Sequence, residues 1–335
     1  MKIIVDAFGG DNAPLEIIKG SLAANEEYGV DIALAGDREK IAACAKENGL
    51  DISRFEILDA DGAIAMEDHP NAIVKEKKNC SMAVGMRALH DGKGDAFVTA
   101  GSTGAALMGG TFIVKRIKGI KRAALATILP TDNGSGCMVL DVGANADCRP
   151  EMLVQFAVMG DEYMRSQMKV AAPRVGLLNI GTEDTKGGEL QQQTFALLKE
   201  SPLNFVGNVE ARDVLTGVCD VLVCDGFSGN VLLKTCEGTV SVMMHNLKAI
   251  FKKSIFTKLA AAMIMGGLKE FKKKMDYTEV GGAPLLGVAG PVIKAHGNSK
   301  ATAFKNAIRQ ARDFAQSGVV ENITASVAKE SGKDD

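Results

Sequence analysis

The chain has 335 residues, of which 46% are hydrophobic and 24% charged, and its formal net charge at pH 7 is −2. This composition is typical of a globular enzyme, and the near-zero charge gives no global basis for binding nucleic acid. Seven cysteines without a Cys-x-x-Cys pair predict reduced thiols in the cytoplasm, and four scattered histidines predict no metal site.

Short apolar segments alternate with longer segments of helical periodicity along the chain, which is typical of βαβ units. Many of the short segments are apolar on both faces, as buried parallel strands are. The pattern predicts a single α/β domain over residues 1–335, with three α/β/α layers around a largely parallel twisted sheet. The predicted strands are residues 2–6, 31–35, 55–58, 96–99, 124–129, 137–141, 174–178, 204–206 and 221–224. Two more strands, near residues 285–288 and 292–295, are predicted to pair antiparallel.

Five of these strands are followed by short, polar, glycine-rich loops, which begin after residues 6, 99, 141, 178 and 224. Ligands of open parallel sheets bind beyond the carboxyl ends of the strands. We therefore expect the five loops to converge on one rim and to form a site rich in backbone N–H, carboxylate, amide and hydroxyl groups.

The first loop carries Asp6, Gly9, Gly10 and Asp11. Two adjacent glycines permit positive φ and a close approach of the backbone to a ligand. The two aspartates can orient loops, accept hydrogen bonds or hold a metal. A tight turn followed by a helix cap explains the same segment equally well.

The second loop, Gly101, Ser102, Thr103 and Gly104, joins the strand at 96–99 to a helical segment. Backbone N–H groups at such a junction favour a bound oxyanion, and the two hydroxyl groups add donors. The loop matches neither the dinucleotide nor the Walker fingerprint. It is the strongest anion-site candidate in the chain, with an ordinary Gly/Ser turn as the alternative.

The remaining loops supply Asn145, Lys186, Asp225 and Asn230. Lys186 lies between acidic residues and two glycines, where a lysine can neutralise a phosphate or a developing oxyanion as a point charge. The alternative is a solvated surface lysine. Since no Ser-His-Asp triad is apparent, the set suits aligning an oxyanion better than activating a side-chain nucleophile.

Residues 240–275 predict a projecting hairpin of two helices joined near Ser254, each with an apolar face. Eight lysines and one glutamate fall between residues 245 and 275, a pattern typical of an interfacial helix on anionic lipid. A core or dimer helix pair with solvated lysines is the alternative, and the apolar area also predicts a homodimer. The predicted membrane contacts are Leu259, Met263, Ile264, Lys258 and Lys269.

Eight segments together resemble the bacterial phosphate acyltransferase family, the acyl-ACP:phosphate acyltransferases of phospholipid synthesis. They are VDAFGGDNAP at 5–14, TAGSTGA at 99–105, LDVGAN at 140–145, residues 176–187, NFVGNVE at 204–210, CDGFSGN at 224–230, GGAPLLG at 281–287 and AHG at 295–297. The likeness covers almost the whole chain in order. Phe8, Asn12 and Ser102 stand where the family usually has Met, His and Asn, which argues against a histidine base in the first loop.

The resemblance implies the architecture of isopropylmalate dehydrogenases and phosphotransacetylases. It implies an enzyme that converts acyl-ACP and phosphate into acyl phosphate and free ACP (acyl carrier protein), with no cofactor and no covalent acyl-enzyme. Residues 101–104 would cradle phosphate and Lys186 would neutralise charge. Asp225 and Asn230 would orient the reacting groups, while Asp6, Gly9, Gly10, Asp11 and Asn145 would shape the site.

The product, a long-chain amphiphile, would pass to a membrane glycerol-phosphate acyltransferase, so we expect a cytoplasmic enzyme peripherally bound to the inner face of the membrane. ACP, an acidic protein, is a further candidate partner for the hairpin lysines. Two enzymatic alternatives remain, a phosphotransacetylase-like enzyme acting on acyl-CoA and a decarboxylating dehydrogenase of the isopropylmalate type. A non-enzymatic scaffold at the membrane surface is the third.

Overall fold

The structure is a computed structural model that describes residues 1–268 and 281–331. In these residues, eleven strands form one sheet. They are β1 Lys2–Asp6, β2 Asp31–Gly36, β3 Glu56–Asp59, β4 Ala96–Thr99, β5 Ala124–Leu129, β6 Cys137–Leu140, β7 Val175–Asn179, β8 Phe205–Glu210, β9 Val221–Val223, β10 Ala283–Leu286 and β11 Val292–Lys294.

The α-helices of the described residues cover both faces of this sheet. They are α1 Leu15–Tyr28, α2 Arg38–Glu47, α3 Ser81–His90, α4 Thr103–Gly109, α5 Pro150–Ser166, α6 Glu189–Glu200, α7 Gly226–Lys252, α8 Ile255–Met263, α9 Ala301–Gln316 and α10 Val319–Ser331. The predicted three-layer α/β/α fold is confirmed.

The strand order is β3-β2-β1-β4-β11-β10-β5-β6-β9-β7-β8. Neighbouring strands are parallel except in the centre, where β11–β10, β10–β5 and β5–β6 are antiparallel. The predicted antiparallel pairing of the last two strands is confirmed, with Leu285 opposite Val292 and Ala283 opposite Lys294.

The three antiparallel steps reverse the chain direction an odd number of times, so β1, β4 and β11 run opposite to β6, β9 and β7. The prediction that five loops meet on one rim is therefore wrong, because the two groups of strands have their carboxyl ends on opposite edges. The loops after β1, β4, β6 and β9 nevertheless line one common cleft.

The side-chain alternation of the strands shows where this cleft lies. Ile3 and Val5 point into a core that is continuous across one face of the sheet and includes Phe156 of α5 and Phe304 of α9. The opposite face carries two separate cores, one under α3 and α4 and one under the start of α7. Between them the second helical layer is interrupted over β5, and this gap contains the cavity described below.

Most predicted strand boundaries agree with the structure within one or two residues, but the strand predicted at 204–206 extends to Glu210. Gly207 adopts φ +98°, and the register between β7 and β8 shifts beside it. The glycine therefore marks a bulge inside the strand rather than the end of it.

The hairpin segment begins earlier in the chain than its apolar pattern suggests. α7 has 27 residues and starts at Gly226, so it connects the cleft directly to the projecting end. Ser254 caps α8 by accepting a hydrogen bond from the backbone N–H of Thr257. Residues 269–275, including Lys269, lie outside the described residues. In the part of the chain that the structure describes, no helix is long and apolar enough to cross a membrane.

Candidate active site

A cavity of about 590 Å³ lies in the gap over β5, with Leu125 and Thr127 in its lining. The loops after β1, β4 and β11 reach it from one half of the sheet, and those after β6 and β9 reach it from the other. Its polar lining includes Asp11, Thr103, Asn230, Lys234, Lys294, His296, Asn298 and Ser299, and its apolar lining includes Met66, Leu125, Val142, Phe227 and Leu233.

Asp6 organises the first half of the site from beneath rather than from the cavity. Its buried carboxylate accepts a hydrogen bond from the Thr99 hydroxyl at 2.7 Å. The Thr99 hydroxyl oxygen in turn accepts one from the backbone N–H of Gly101 at 2.9 Å. Burial raises the pKa of Asp6, while hydrogen bonds from Ser81 and Thr99 oppose this shift. The relay from Asp6 to Gly101 fixes the start of the second loop.

Gly9 and Gly10 are required by the close packing of three loops. A Cβ at Gly9 would lie 2.6 Å from an Asp6 carboxylate oxygen and 2.7 Å from the Gly101 nitrogen. Gly10 has φ +96°, and its Cβ would lie 2.7 Å from the Gly297 carbonyl oxygen. Both glycines thus allow the loops after β1, β4 and β11 to meet.

Thr99→Val tests the Asp6 relay and is expected to destabilise the protein by about 1–3 kcal/mol, since the buried Asp6 carboxylate loses one of its donors and the Gly101 N–H loses its acceptor. The free energy of unfolding in urea measures this. Thr194→Val is the matched control, because its buried hydroxyl only donates to the Leu190 carbonyl within a helix. Equal losses in both variants would contradict a special role for the relay.

The second half of the site is built around Asp141, which the sequence analysis did not single out. Its buried carboxylate accepts hydrogen bonds from the backbone N–H groups of Leu125, Gly143, Ala144 and Asn145. The Asn145 side chain donates to Asp141 and to the Ala123 carbonyl, and the Asn145 carbonyl accepts from Gly226. Asn145 therefore joins the loop after β6 to α7, outside the residues that line the cavity.

Asp225 and Asn230 occupy different positions at the start of α7. Asp225 caps the helix by accepting hydrogen bonds from the backbone N–H and the hydroxyl of Ser228, at 2.9 and 2.8 Å. Asn230, one turn later, lines the cavity. Its amide oxygen would lie 3.6 Å from a Cβ at Gly143. Asn230 is thus the member of this pair that faces a ligand space.

Only Thr103 of the predicted anion loop lines the cavity. Ser102 caps α4, its hydroxyl accepting from the Ala105 N–H at 3.5 Å. Gly104 packs against Pro70, whose Cγ would lie 2.7 Å from a Cβ at that position. Gly101 is held by Thr99, so the loop is a rigid edge of the cavity that presents one hydroxyl group to it.

Lys186 lies outside the residues that line this cavity. Its side chain is 45% exposed, with Nζ 3.8 Å from a carboxylate oxygen of Glu183. The Asn179 side chain anchors the loop by donating to the Lys186 carbonyl at 3.0 Å. The loop follows β7, which lies directly beside β9, so Lys186 is on the edge of the sheet from which α7 begins.

Sequence reasoning missed three basic groups that line the cavity, Lys234, Lys294 and His296. Lys294 had a detectable signal, because it is the one charged residue in the apolar run Pro291-Val-Ile-Lys-Ala295. A lysine inside a buried strand requires a partner or a function. Lys234 lies on α7, one turn after Asn230, and both line the cavity.

Solved structures with the same fold include two acyl-transferring enzymes. A phosphotransacetylase from Streptococcus pyogenes superposes with a TM-score of 0.63 at 16% identity, over 94% of each chain. A branched-chain phosphotransacylase from Enterococcus faecalis V583 superposes with a TM-score of 0.56 at 13% identity, over 93% of this chain and 99% of the other. These likenesses confirm the predicted architecture.

Sequence comparison goes further than the fold. A family model described as "Fatty acid synthesis protein" matches residues 1–322. A phosphate acyltransferase of Caldanaerobacter subterraneus subsp. tengcongensis is 50% identical over 324 residues, 96% of each chain. One of Bacillus licheniformis is 51% identical over 326 residues, 97% of this chain and 96% of the relative. The chain therefore belongs to the bacterial phosphate acyltransferase family, and it is an enzyme that transfers acyl groups in lipid synthesis.

Proposed function

We propose that the enzyme transfers a long-chain acyl group from acyl-ACP to inorganic phosphate, giving acyl phosphate and free ACP for phospholipid synthesis. The observation that carries this is the division of the cavity lining. The loops after β1, β4 and β11 contribute mainly polar and basic groups. The apolar side chains Leu125, Val142, Phe227 and Leu233 come from β5 and the segments after β6 and β9, where α7 also contributes Asn230, Lys234 and Glu237. Such a cavity suits an anion beside an acyl chain.

The chemistry requires alignment more than proton abstraction, because phosphate is anionic near neutral pH. A phosphate oxygen attacks the thioester carbonyl, the tetrahedral oxyanion collapses, and the C–S bond breaks. The proton of hydrogen phosphate ends on the released thiol. Stabilising the oxyanion lowers the barrier most. No covalent acyl-enzyme forms in this scheme.

The proposed roles follow the elements that position each residue. Residues 101–104 form the edge of the phosphate site, with Thr103 facing the phosphate. Asn230 orients the reacting groups from α7, where Asp225 holds the first turn. Lys186 supplies positive charge to the oxyanion from the neighbouring loop after β7. The packing of the loops against one another is maintained by Asp6, Gly9, Gly10, Asp11 and Asn145.

Acyl-CoA is the alternative donor, and the phosphotransacetylase fold favours considering it. Release of free thiol from palmitoyl-ACP and palmitoyl-CoA, with and without phosphate, separates the donors. We expect phosphate-dependent release that is much faster with ACP at equal concentration. Equal or faster release from CoA would assign the enzyme to the alternative.

The hairpin of α7 and α8 supports a membrane-surface location. Phe256, Leu259 and Met263 are 79%, 61% and 88% exposed. Several exposed apolar side chains on one short helix are typical of a contact surface, whereas single scattered ones are not. Lys248, Lys252 and Lys258 line the apolar groove between the two helices. We propose that this face contacts anionic lipid on the inner side of the membrane, close to the glycerol-phosphate acyltransferase that takes the product.

A homodimer is part of the same proposal, because a second copy is the simplest cover for the apolar residues of α7. Val242 and Met243 are exposed on that helix, about three turns before the tip at Ser254. Closed two-fold pairing would shield them while leaving α8 free for lipid. The hairpin lysines also offer an acidic ACP an electrostatic guide to the cavity mouth.

A further inference from the structure

Lys294 is a buried cation at the wall of the cavity. It is the last residue of β11, opposite Thr99 of β4, and it is only 9% exposed. Its Nζ donates to the carbonyl oxygens of Ala100 at 3.4 Å and Ala295 at 2.5 Å. Ala100 directly precedes the 101–104 loop, so the ammonium lies behind the edge that bounds the cavity.

The charge of Lys294 is not matched by a close carboxylate. Among residues 1–268 and 281–331, Lys294 forms no ion pair within 4.0 Å, and its Nζ donates to neutral carbonyls. Burying an ammonium in this way is costly unless an anion compensates for it. Burial accordingly lowers the pKa of Lys294 to about 8, although Asp6 and Asp11 act in the opposite direction.

The position of Lys294 distinguishes a ligand group from a structural lysine. Lys294 is itself part of the cavity lining, together with Thr103 and His296. An ammonium has three N–H donors, of which two are directed at the carbonyls, so one remains for an oxygen of a bound molecule. Lys186, in contrast, is half-exposed and has Glu183 beside it.

We propose that the Lys294 ammonium binds the inorganic phosphate of the acyl-transfer reaction and holds it against Thr103 at the 101–104 loop. This inference rests on the proposed function, since it assigns the residue that binds phosphate, the second substrate of the proposed reaction. Lys294 thus acts in phosphate binding, while Lys186 acts on the charge that develops during attack. The two lysines then affect different kinetic constants.

The titration of Lys294 gives the proposal a pH signature. The charged groups that act on it are Asp6 and Asp11 from the first loop and Lys234 from α7, and His296 follows two residues later in the cavity lining. Protonated Lys294 binds an anion and neutral Lys294 does not, so phosphate affinity falls as the pH rises through about 8. Bound phosphate in turn favours the protonated form.

Lys294→Met, which keeps the length and apolar stem of the side chain, tests the assignment. We expect its phosphate KM to rise on the order of 10- to 100-fold, as loss of a charged hydrogen bond does, while the KM for the acyl donor changes little. Lys294→Arg should restore part of the affinity. Lys199→Met, an exposed lysine paired with Asp184, is the control and should match wild type.

A second readout does not depend on turnover. Inorganic phosphate alone should raise the melting temperature of wild type and of Lys199→Met, and this shift should be lost in Lys294→Met. The shift in wild type should also shrink between pH 7 and pH 9. These measurements hold whichever acyl donor is used, so they separate failure of this inference from failure of the proposed function.

Two results would overturn the inference. One is a Lys294→Met variant that folds and keeps both the wild-type phosphate KM and the phosphate-induced shift in melting temperature. Lys294 would then have only a structural role, joining two loops through its hydrogen bonds to the Ala100 and Ala295 carbonyls. A variant that unfolds is replaced by Lys294→Gln. If phosphate then stabilises Lys294→Gln as it does wild type, the assignment fails.

Discussion

Lys186→Ala is expected to lower kcat on the order of 10²-fold or more, as removal of a key electrostatic donor typically does. The phosphate KM should change far less than in Lys294→Met, because Lys186 is proposed to act on the developing oxyanion. The melting temperature should be nearly unchanged. The Lys186 side chain is half-exposed, and its ion pair with Glu183 is a loose surface contact.

Steady-state turnover of palmitoyl-ACP at saturating phosphate measures this effect. Lys199→Ala is the control, since Lys199 is exposed and paired with Asp184 of the same loop. Wild-type turnover in Lys186→Ala would reduce Lys186 to a solvated surface lysine. The oxyanion would then have to be stabilised by groups that line the cavity.

Leu259→Glu combined with Ile264→Glu is expected to abolish flotation of the protein with anionic vesicles while sparing turnover of soluble acyl-ACP. Both side chains are exposed, at 61% and 49%, so charging them removes no core packing. Two carboxylates on the apolar face would oppose both insertion and attraction to anionic lipid. The uncharged run at residues 259–268 is far shorter than the roughly 20 residues that span a bilayer, so interfacial binding is the mode that we expect.

Phe112→Glu combined with Val206→Glu is the matched control, because it adds the same charge at exposed apolar positions outside the hairpin. That variant should float as wild type does. If wild-type protein never floats with anionic vesicles, the hairpin is a dimer or carrier-protein surface instead. Light scattering on the Leu259→Glu, Ile264→Glu variant then decides between these, since loss of the dimer would place the two residues at the subunit contact.

The sequence was sufficient for the layers of the fold because buried parallel strands are apolar on both faces and end in polar glycine-rich loops. It was insufficient for strand direction. Apolar character at β5 and β6 does not reveal that both are antiparallel to a neighbour, and this reversal places the loops on opposite edges. The cavity is built where the reversal occurs, so it could not be located from the loops alone.

The site residues divide in the same way. Loop residues such as Asp11, Thr103 and Asn230 were identified because polar groups after strands stand out, and they do line the cavity. Asp141 and Asn145 stand out in the sequence in the same way, but their side chains hydrogen-bond to neighbouring backbone groups and do not face the cavity. Lys294 was overlooked although a lone charge in an apolar strand is a visible signal, because only the tertiary structure places that charge at the wall of the cavity.

The most direct test of the central claim is mass detection of the product from palmitoyl-ACP and ¹⁸O-labelled phosphate. The proposed reaction predicts palmitoyl phosphate that carries the label, formed in step with free ACP. Labelled oxygen in the C–O–P bridge of the mixed anhydride would show that a phosphate oxygen attacks the carbonyl. Palmitic acid as the first product, or ACP release that does not depend on phosphate, would contradict the account.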